Sequence, residues 1–317
     1  MSATHELYPL EWIDEYIARL HNYVVIREED RLLIKVPNEA HKLNASAVAI
    51  LKRLFAGESI LELWQSYGRS PKIQRDLYQF FIGLKQVLQG CVNEQRLPEG
   101  VVLRPFTLGF NTLPVLSELA LTYRCNLRCQ FCYAGCGCTR GMGPGEELTT
   151  EEARRILRII REEAQVPSVS FTGGEPTLRG DLVALVQFAR QELGLWVNLI
   201  TNGVLIDEGM AWRLKEAGLN SAQVSLESPE ESIHDELTCV KGSHRRTVEG
   251  VRRLLESGIP VHTNTTLNRV NLRSAKAMPR FVRSLGLERF SMNLVIPSDN
   301  GRAGQPDLNL RYSQSPE

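Results

Sequence analysis

The sequence contains no run of about 18 or more apolar residues, so no helix in it is expected to span a membrane. It has no excess of either charge: 37 lysines and arginines stand against 37 aspartates and glutamates. That balance leaves no global field to draw the chain to nucleic acid or to an anionic membrane. The first ten residues lack a basic stretch followed by an apolar core, so no signal peptide is expected and the cytoplasm is the default location. The seven cysteines also lack the scatter of a disulfide framework, which belongs to small secreted chains. Five of them (Cys125, Cys129, Cys132, Cys136 and Cys138) fall in one short stretch, while Cys91 and Cys239 stand alone. Clustering of this kind points to metal or redox chemistry.

What is present divides into two parts. At 317 residues the chain can hold one large domain and a smaller one. Residues 10–20 have helical periodicity. Residues 23–36 read as a hairpin, with Val24-Val25-Ile26 and Leu32-Leu33-Ile34 flanking a charged turn at residues 28–31. Asn44 can cap a helix over 45–55, whose Val48, Ile50, Leu51 and Leu54 make a buried stripe and which Gly57 ends. Helical patterns follow at 60–66 and 71–89. A hairpin with three helices predicts a winged-helix-like α+β domain over 1–92. Residues 93–114, with three prolines and two glycines and no sustained period, read as a linker.

From residue 115 to 303 the pattern is one of βα repeats. Strands are expected at 117–122, 168–171, 196–200, 222–226, 261–265 and 290–296. Helices are expected between them at 150–163, 182–192, 208–217, 245–257 and 274–285. Alternation of this kind implies parallel pairing with right-handed crossovers. Six units are too few for a closed eight-fold barrel, so the expected fold class is α/β, a partial (β/α)6 barrel with its chemistry at the C-terminal ends of the strands. A polar tail, 304–317, completes the chain.

The first barrel strand runs directly into Cys125-Asn-Leu-Arg-Cys129-Gln-Phe-Cys132-Tyr133. Three thiolates spaced x3 then x2 can hold one corner of a cubane iron–sulfur cluster, and three in place of the usual four leave one iron open. A structural zinc knuckle is the plainer alternative. The second strand ends in Thr172-Gly173-Gly174-Glu175-Pro176-Thr177. There the glycines allow close approach of backbone to a ligand, Glu175 can accept from an ammonium group, and Pro176 stiffens the turn.

These two motifs, in this order, resemble the radical S-adenosylmethionine (SAM) superfamily, whose signature is this cysteine spacing with an aromatic before the last cysteine, here Phe131. The resemblance runs over roughly residues 117–303. It implies a [4Fe–4S] cluster on Cys125, Cys129 and Cys132, with SAM bound at the open iron and cleaved to a 5′-deoxyadenosyl radical that abstracts a substrate hydrogen. Gly173, Gly174, Glu175 and Pro176 correspond to the motif that contacts the SAM amino group. Asn202, in Thr201-Asn202-Gly203, follows the third strand. Ser225 and Glu227 stand where relatives read Ser-Leu-Asp and contact the ribose or carboxylate of SAM, and Asn264 ends the fifth strand. His234-Asp235, Lys241-Gly242-Ser243, Pro297 and Gly301-Arg302-Ala303 also match the peptide-modifying and cofactor-building branch. Thr238 stands where many relatives place an arginine; Lys241 is a candidate partner for the SAM carboxylate, with an exposed surface lysine as its plainer reading. His234 and His262 read as packing or surface residues. Cys136 and Cys138 are too few for a second metal site, and Cys91 and Cys239 read as ordinary thiols.

The hairpin, followed by residues 42–47 and 57–60, resembles the PqqD-like peptide-recognition domain, which implies capture of a precursor-peptide leader as an added strand. The resemblances together imply a peptide maturase working with an external electron donor of flavodoxin or ferredoxin type, and no nucleic acid or membrane partner. The absence of cysteine after Cys239 implies either a single-cluster enzyme, which favours redox-neutral chemistry such as epimerisation, or a chain without the cysteine-rich C-terminal domain of that branch. A cofactor- or tetrapyrrole-modifying enzyme is the second reading, and a non-catalytic metal- or DNA-binding regulator the third. Lys72, Arg75 and Lys85 are few charges for a DNA-recognition helix.

Overall fold

The computed structural model describes residues 8–37, 39–89, 111–136, 147–296, 308 and 310. The chain forms two compact units, Met1–Leu116 with Ala164–Pro167, and Ser117–Glu163 with Ser168–Glu317.

In the first unit, helix α1 (Trp12–Leu20) precedes strands β1 (Val24–Arg27), β2 (Leu32–Lys35) and β3 (Glu39–Lys42). The three strands form an antiparallel sheet in chain order, with Val24 opposite Lys35 and Leu32 opposite Lys42. The expected hairpin is thus present, with a third strand added. β3 was not legible because Glu-Ala-His-Lys has no β-branched residue and all four residues are half-buried, so no alternation marks it. Within the turn, Arg27 and Asp30 form a buried bidentate pair at 2.9 and 2.8 Å.

Helices α2 (Ala45–Phe55), α3 (Ile60–Ser66) and α4 (Pro71–Leu88) follow. Each of the first two starts where its cap dictates. Asn44 accepts the Ala47 N–H at 2.8 Å, and Ser59 and Glu62 form a reciprocal capping box. Leu33, Leu51, Leu63, Phe81 and Leu84 meet in the core of this unit. Of the expected linker only residues 111–114 are among those described.

The second unit holds six strands: β4 (Glu118–Thr122), β5 (Ser168–Gly173), β6 (Trp196–Thr201), β7 (Ser221–Ser225), β8 (Val261–Leu267) and β9 (Phe290–Leu294). All pair in parallel and in chain order, from β4 at one edge to β9 at the other. This is the expected partial (β/α)6 barrel, an α/β fold. Its helices are α5 (Thr150–Arg158), α6 (Leu182–Gln187), α7 (Glu208–Glu216), α8 (Glu231–Thr238), α9 (Ser243–Glu256) and α10 (Met278–Ser284). α5 and α6 each continue into a π turn, Ile159–Glu163 and Phe188–Glu192, so the single helices expected there change winding in their last turns.

Strand alternation sets the layers. In β7, Ala222 and Val224 are buried in the hydrophobic core with Val197, Leu199, Leu214 and Val251, while Gln223 and Ser225 turn to the barrel interior. Helix α8 was not anticipated. It is short, and its Glu-Ser-Ile-His-Asp-Glu-Leu-Thr buries only three residues. No described helix is long and apolar enough to cross a membrane.

Candidate functional site

The residues singled out in the sequence meet at the C-terminal ends of the barrel strands, around a cleft of about 320 Å³. Cys125, Cys129, Phe131 and Cys132 line one side, and Gly173, Gly174, Asn202, Ser225, Glu227 and Asn264 continue the wall across β5 to β8. Glu175 and Pro176 lie behind the wall, both buried.

The cysteine loop is held from two sides. On one side the end of β5 approaches it closely: the N–H groups of Gly174 and Glu175 donate to the carbonyls of Thr122 and Arg124, at 2.6 and 2.8 Å. A Cβ on Gly173 would lie 2.1 Å from the Thr122 carbonyl oxygen, and one on Gly174 2.2 Å from that of Arg124. Gly173 also sits at φ +125°, a conformation that L side chains rarely adopt. The paired glycines are therefore required first by the approach of one backbone to another, where the sequence had suggested the approach of a ligand.

On the other side lies the C-terminal end of α8. The N–H groups of Arg128 and Gln130 donate to the carbonyls of Thr238 and Leu237, and the Gln130 side chain donates to that of Glu236. A helix leaves its last carbonyls without intrahelical partners, and here the loop supplies them.

Glu175 is held by hydrogen bonds within the protein. It is fully buried, and its carboxylate accepts from Thr177 N and Oγ1, Thr201 Oγ1 and Asn202 N, at 2.6–3.1 Å. Three of these donors reach one carboxylate oxygen and the fourth reaches the other. Burial pushes its pKa up, and the four donors oppose that shift. Glu175 thus ties the end of β5 to the end of β6. Asn202, fixed by this tie, donates through Nδ2 to Asn126 Oδ1 at 2.7 Å and lies 3.9 Å from Cys125 Sγ.

Glu227 is 2% exposed and lines the cleft. One carboxylate oxygen accepts the Thr266 N–H at 2.8 Å, and burial raises its pKa to about 8. Asn264 is oriented by Ser291 and Asn293, whose side chains both donate to its Oδ1 at 2.8 Å. Gln223, Thr238, Thr266, Asn293, Leu294 and Ile296 also line the cleft and were not singled out as contacts. Their signal was positional: most lie at or near the ends of the same strands. Thr238, the residue in the place of the family's arginine, hydrogen-bonds Ser243 at 2.7 Å, and Lys241 is exposed. Among the described residues the lining carries two carboxylates, Glu118 and Glu227, and no lysine or arginine.

Asp235 accepts from Gly242 N, Ser243 Oγ and His244 N, which caps α9 from outside and starts it at Ser243, two residues before the expected position. His262 bonds Gln223 at 3.0 Å, a packing role as expected. Cys239 is exposed at the end of α8. Cys91, Cys138, Pro297 and Gly301-Arg302-Ala303 lie outside the described residues.

The donor set suits a cluster corner. The three signature thiols share the cleft, with Cys136 buried beside them. Burial pushes the Cys125 thiol up to about 11 and Cys129 well above its ordinary value. Hydrogen bonding from the Cys136 thiol, against burial, lowers Cys132 to about 6. Among the described residues no three His, Cys, Asp or Glu side chains are gathered as a single metal ion would require. A cubane binds each cysteine through a different iron, so its thiols need to share a wall and need not converge on a point.

Several known proteins are similar to this chain. The AdoMet-dependent heme synthase of Oleidesulfovibrio alaskensis is 34% identical over 185 residues, 58% of this chain and 46% of the relative. The PqqA peptide cyclase of Bradyrhizobium diazoefficiens is 36% identical over 160 residues, 50% of this chain and 41% of that one. The chain spans about half the length of the curated relatives it matches. Among solved structures, Streptococcus suis SuiB superposes with a TM-score of 0.61 at 18% identity, covering 92% of this chain and 64% of SuiB. That coverage exceeds what the barrel unit alone could supply, so the shared fold takes in the N-terminal unit. The stretch holding the cysteine loop, the Gly-Gly-Glu turn and the strand ends of the cleft coincides with a match to the radical SAM superfamily over residues 119–282, and the chain belongs to that superfamily.

Proposed function

We propose that the protein is a radical SAM enzyme that acts on a peptide, with a [4Fe–4S] cluster on Cys125, Cys129 and Cys132 and SAM in the adjoining cleft. When bound, the reduced cluster and SAM would supply a 5′-deoxyadenosyl radical able to abstract hydrogen from an unactivated carbon. The observation that carries the enzymatic reading is the cysteine loop, pinned between the β5 end and α8, so that its three thiols face the same cleft as Ser225, Glu227 and Asn264.

The residues of this chain take distinct parts in that reading. Gly173, Gly174 and Glu175 set the distance between the cysteine loop and the strand ends. Across the cleft Glu227 offers acceptors to ribose hydroxyls, and Asn264, whose Oδ1 is taken by Ser291 and Asn293, offers its Nδ2 as a donor. Phe131 and Tyr133 with Leu294 and Ile296 supply an apolar rim that limits water at the reacting carbon.

The peptide reading draws support from three sides. The chain resembles PqqA peptide cyclases at 36% identity, and the SuiB structure with which its fold is shared has also been solved with the precursor peptide SuiA. The N-terminal unit holds the expected hairpin and helices with one strand more, and that strand, β3, is an edge at which a leader could add by β-augmentation. Apart from its cysteines and two carboxylates, the cleft lining among the described residues is amide, hydroxyl and apolar surface. Amide groups suit a peptide backbone, whereas tetrapyrrole substrates carry several carboxylates that call for arginine or lysine.

The similarity to heme synthases keeps that second substrate class as the competing reading. The deciding experiment is anaerobic reconstitution with iron and sulfide, then dithionite, SAM and quantification of 5′-deoxyadenosine. Formation by the native chain and loss on changing Cys125, Cys129 and Cys132 to alanine is the expected result. A loaded, reducible cluster that yields no deoxyadenosine would remove the enzymatic reading.

A further inference from the structure

His234 is 1% exposed, on α8, and its Nδ1 accepts the backbone N–H of Glu227 at 3.1 Å. An acceptor at Nδ1 requires the neutral ring with its hydrogen on Nε2. Burial, with the neighbouring His244, lowers the pKa of His234 to about 4 and so keeps the ring neutral. That Nε2 is buried and has no hydrogen-bond partner among the described residues. A buried donor left unpaired is destabilising, and a leucine or phenylalanine would fill the same space without that penalty. The one polar contact His234 makes through its ring therefore needs a reason beyond packing.

That reason lies at the other end of the hydrogen bond. The turn after β7 is fixed at each residue: the Leu226 carbonyl accepts from Thr265 Oγ1, the Glu227 carbonyl from Asn271 Nδ2, and the Glu227 carboxylate from Thr266 N. The Glu227 N–H is the remaining polar group of this residue, and His234 takes it. With the backbone held on both sides, the carboxylate stays at the cleft wall.

We propose that His234 is a positioning residue for SAM binding: it fixes the Glu227 backbone so that the carboxylate is presented to the vicinal hydroxyls of the SAM ribose. This rests on the reading that the cleft binds SAM. The same imidazole also explains why α8 begins so soon after β7, since the helix must return the ring to a backbone only seven residues earlier.

The test compares His234→Asn with His234→Gln in the full chain, reconstituted anaerobically, with SAM affinity measured by equilibrium dialysis and iron content measured alongside. Asparagine places its Oδ1 near the position of Nδ1, whereas glutamine carries its amide toward the position of Nε2. Both are shorter than or similar to the native ring and both put an amide into the same pocket, so loss of packing alone affects them together. The Asn variant should bind SAM within about threefold of the native chain and the Gln variant at least tenfold more weakly, a difference of about 1.4 kcal/mol per decade. Iron content should be equal in both. In addition, Glu227→Gln should weaken binding on its own and add little to the Gln variant, because the two changes act through one contact. Equal affinities for the two His234 variants, or a tighter Gln variant, would overturn the assignment while SAM binding by the native chain still supported the parent reading. Absence of SAM binding by the loaded native chain would overturn both.

Discussion

Gly174 is the residue on which the cysteine loop most directly depends. Its missing side chain leaves room for the Arg124 carbonyl, and a methyl group there would overlap backbone at 2.2 Å. Backbone cannot move aside as a flexible side chain can, so Gly174→Ala should displace the loop. We expect its iron content after reconstitution to fall to less than half of native, read by iron analysis and by the cluster absorbance. Native loading in that variant would show that the loop tolerates the shift. Glu175 is a second such case. Replacing it with alanine strands up to four buried donors, each costing about 1–3 kcal/mol when unpaired. Glu175→Ala should thus destabilise the barrel by several kcal/mol in urea unfolding, and Glu175→Gln by less. The Gly-Gly-Glu-Pro run was visible in the sequence as a motif. That its glycines serve a backbone-to-backbone approach and its glutamate a tie between strands was not, because both partners lie far away in sequence.

Among the elements, α8 connects the two halves of the site. Its last carbonyls hold the cysteine loop, its His234 reaches the turn after β7, and its Asp235 caps α9. The cap supports a prediction with a defined sign. Burial pushes the Asp235 carboxyl up, but the N–H groups of His244 and Gly242 and the Ser243 hydroxyl outweigh it and set the folded pKa below 3.8. A lowered carboxyl pKa contributes stability that is fully present above the unfolded value and is lost as pH falls through the folded one. Asp235→Asn should therefore cost about 1–2 kcal/mol at neutral pH. The difference in melting temperature from native should shrink once the pH passes below the folded pKa. A gap that stays constant from neutral to strongly acidic pH would mean the carboxylate is not the capping group. The strands and the longer barrel helices were legible because their apolar residues repeat with the period of the element. Helix α8 and strand β3 were not, because short half-polar segments take their structure from neighbours more than from their own pattern.

At the scale of the whole molecule, the order of βα units puts six strand ends and the cysteine loop around one cleft, and the charge on that cleft favours one substrate class. A lining with no described lysine or arginine offers no counter-charge to polyanions. Coproporphyrin titrated into the reconstituted chain should show no saturable absorbance change that competes with SAM. Saturable, competing binding would favour the tetrapyrrole reading over the peptide one. The sequence by itself determined the six-unit parallel barrel and the cysteine loop on its first strand, because period, order and spacing are local properties of the chain. It also marked Asn202, Ser225, Glu227 and Asn264, which the structure brings to the same wall. Only the tertiary structure decided which motif residues face the cleft and which brace it: Glu175 turns inward to four donors, while Glu227 stays at the wall. That division depends on hydrogen bonds between segments up to about a hundred residues apart, which no local pattern encodes.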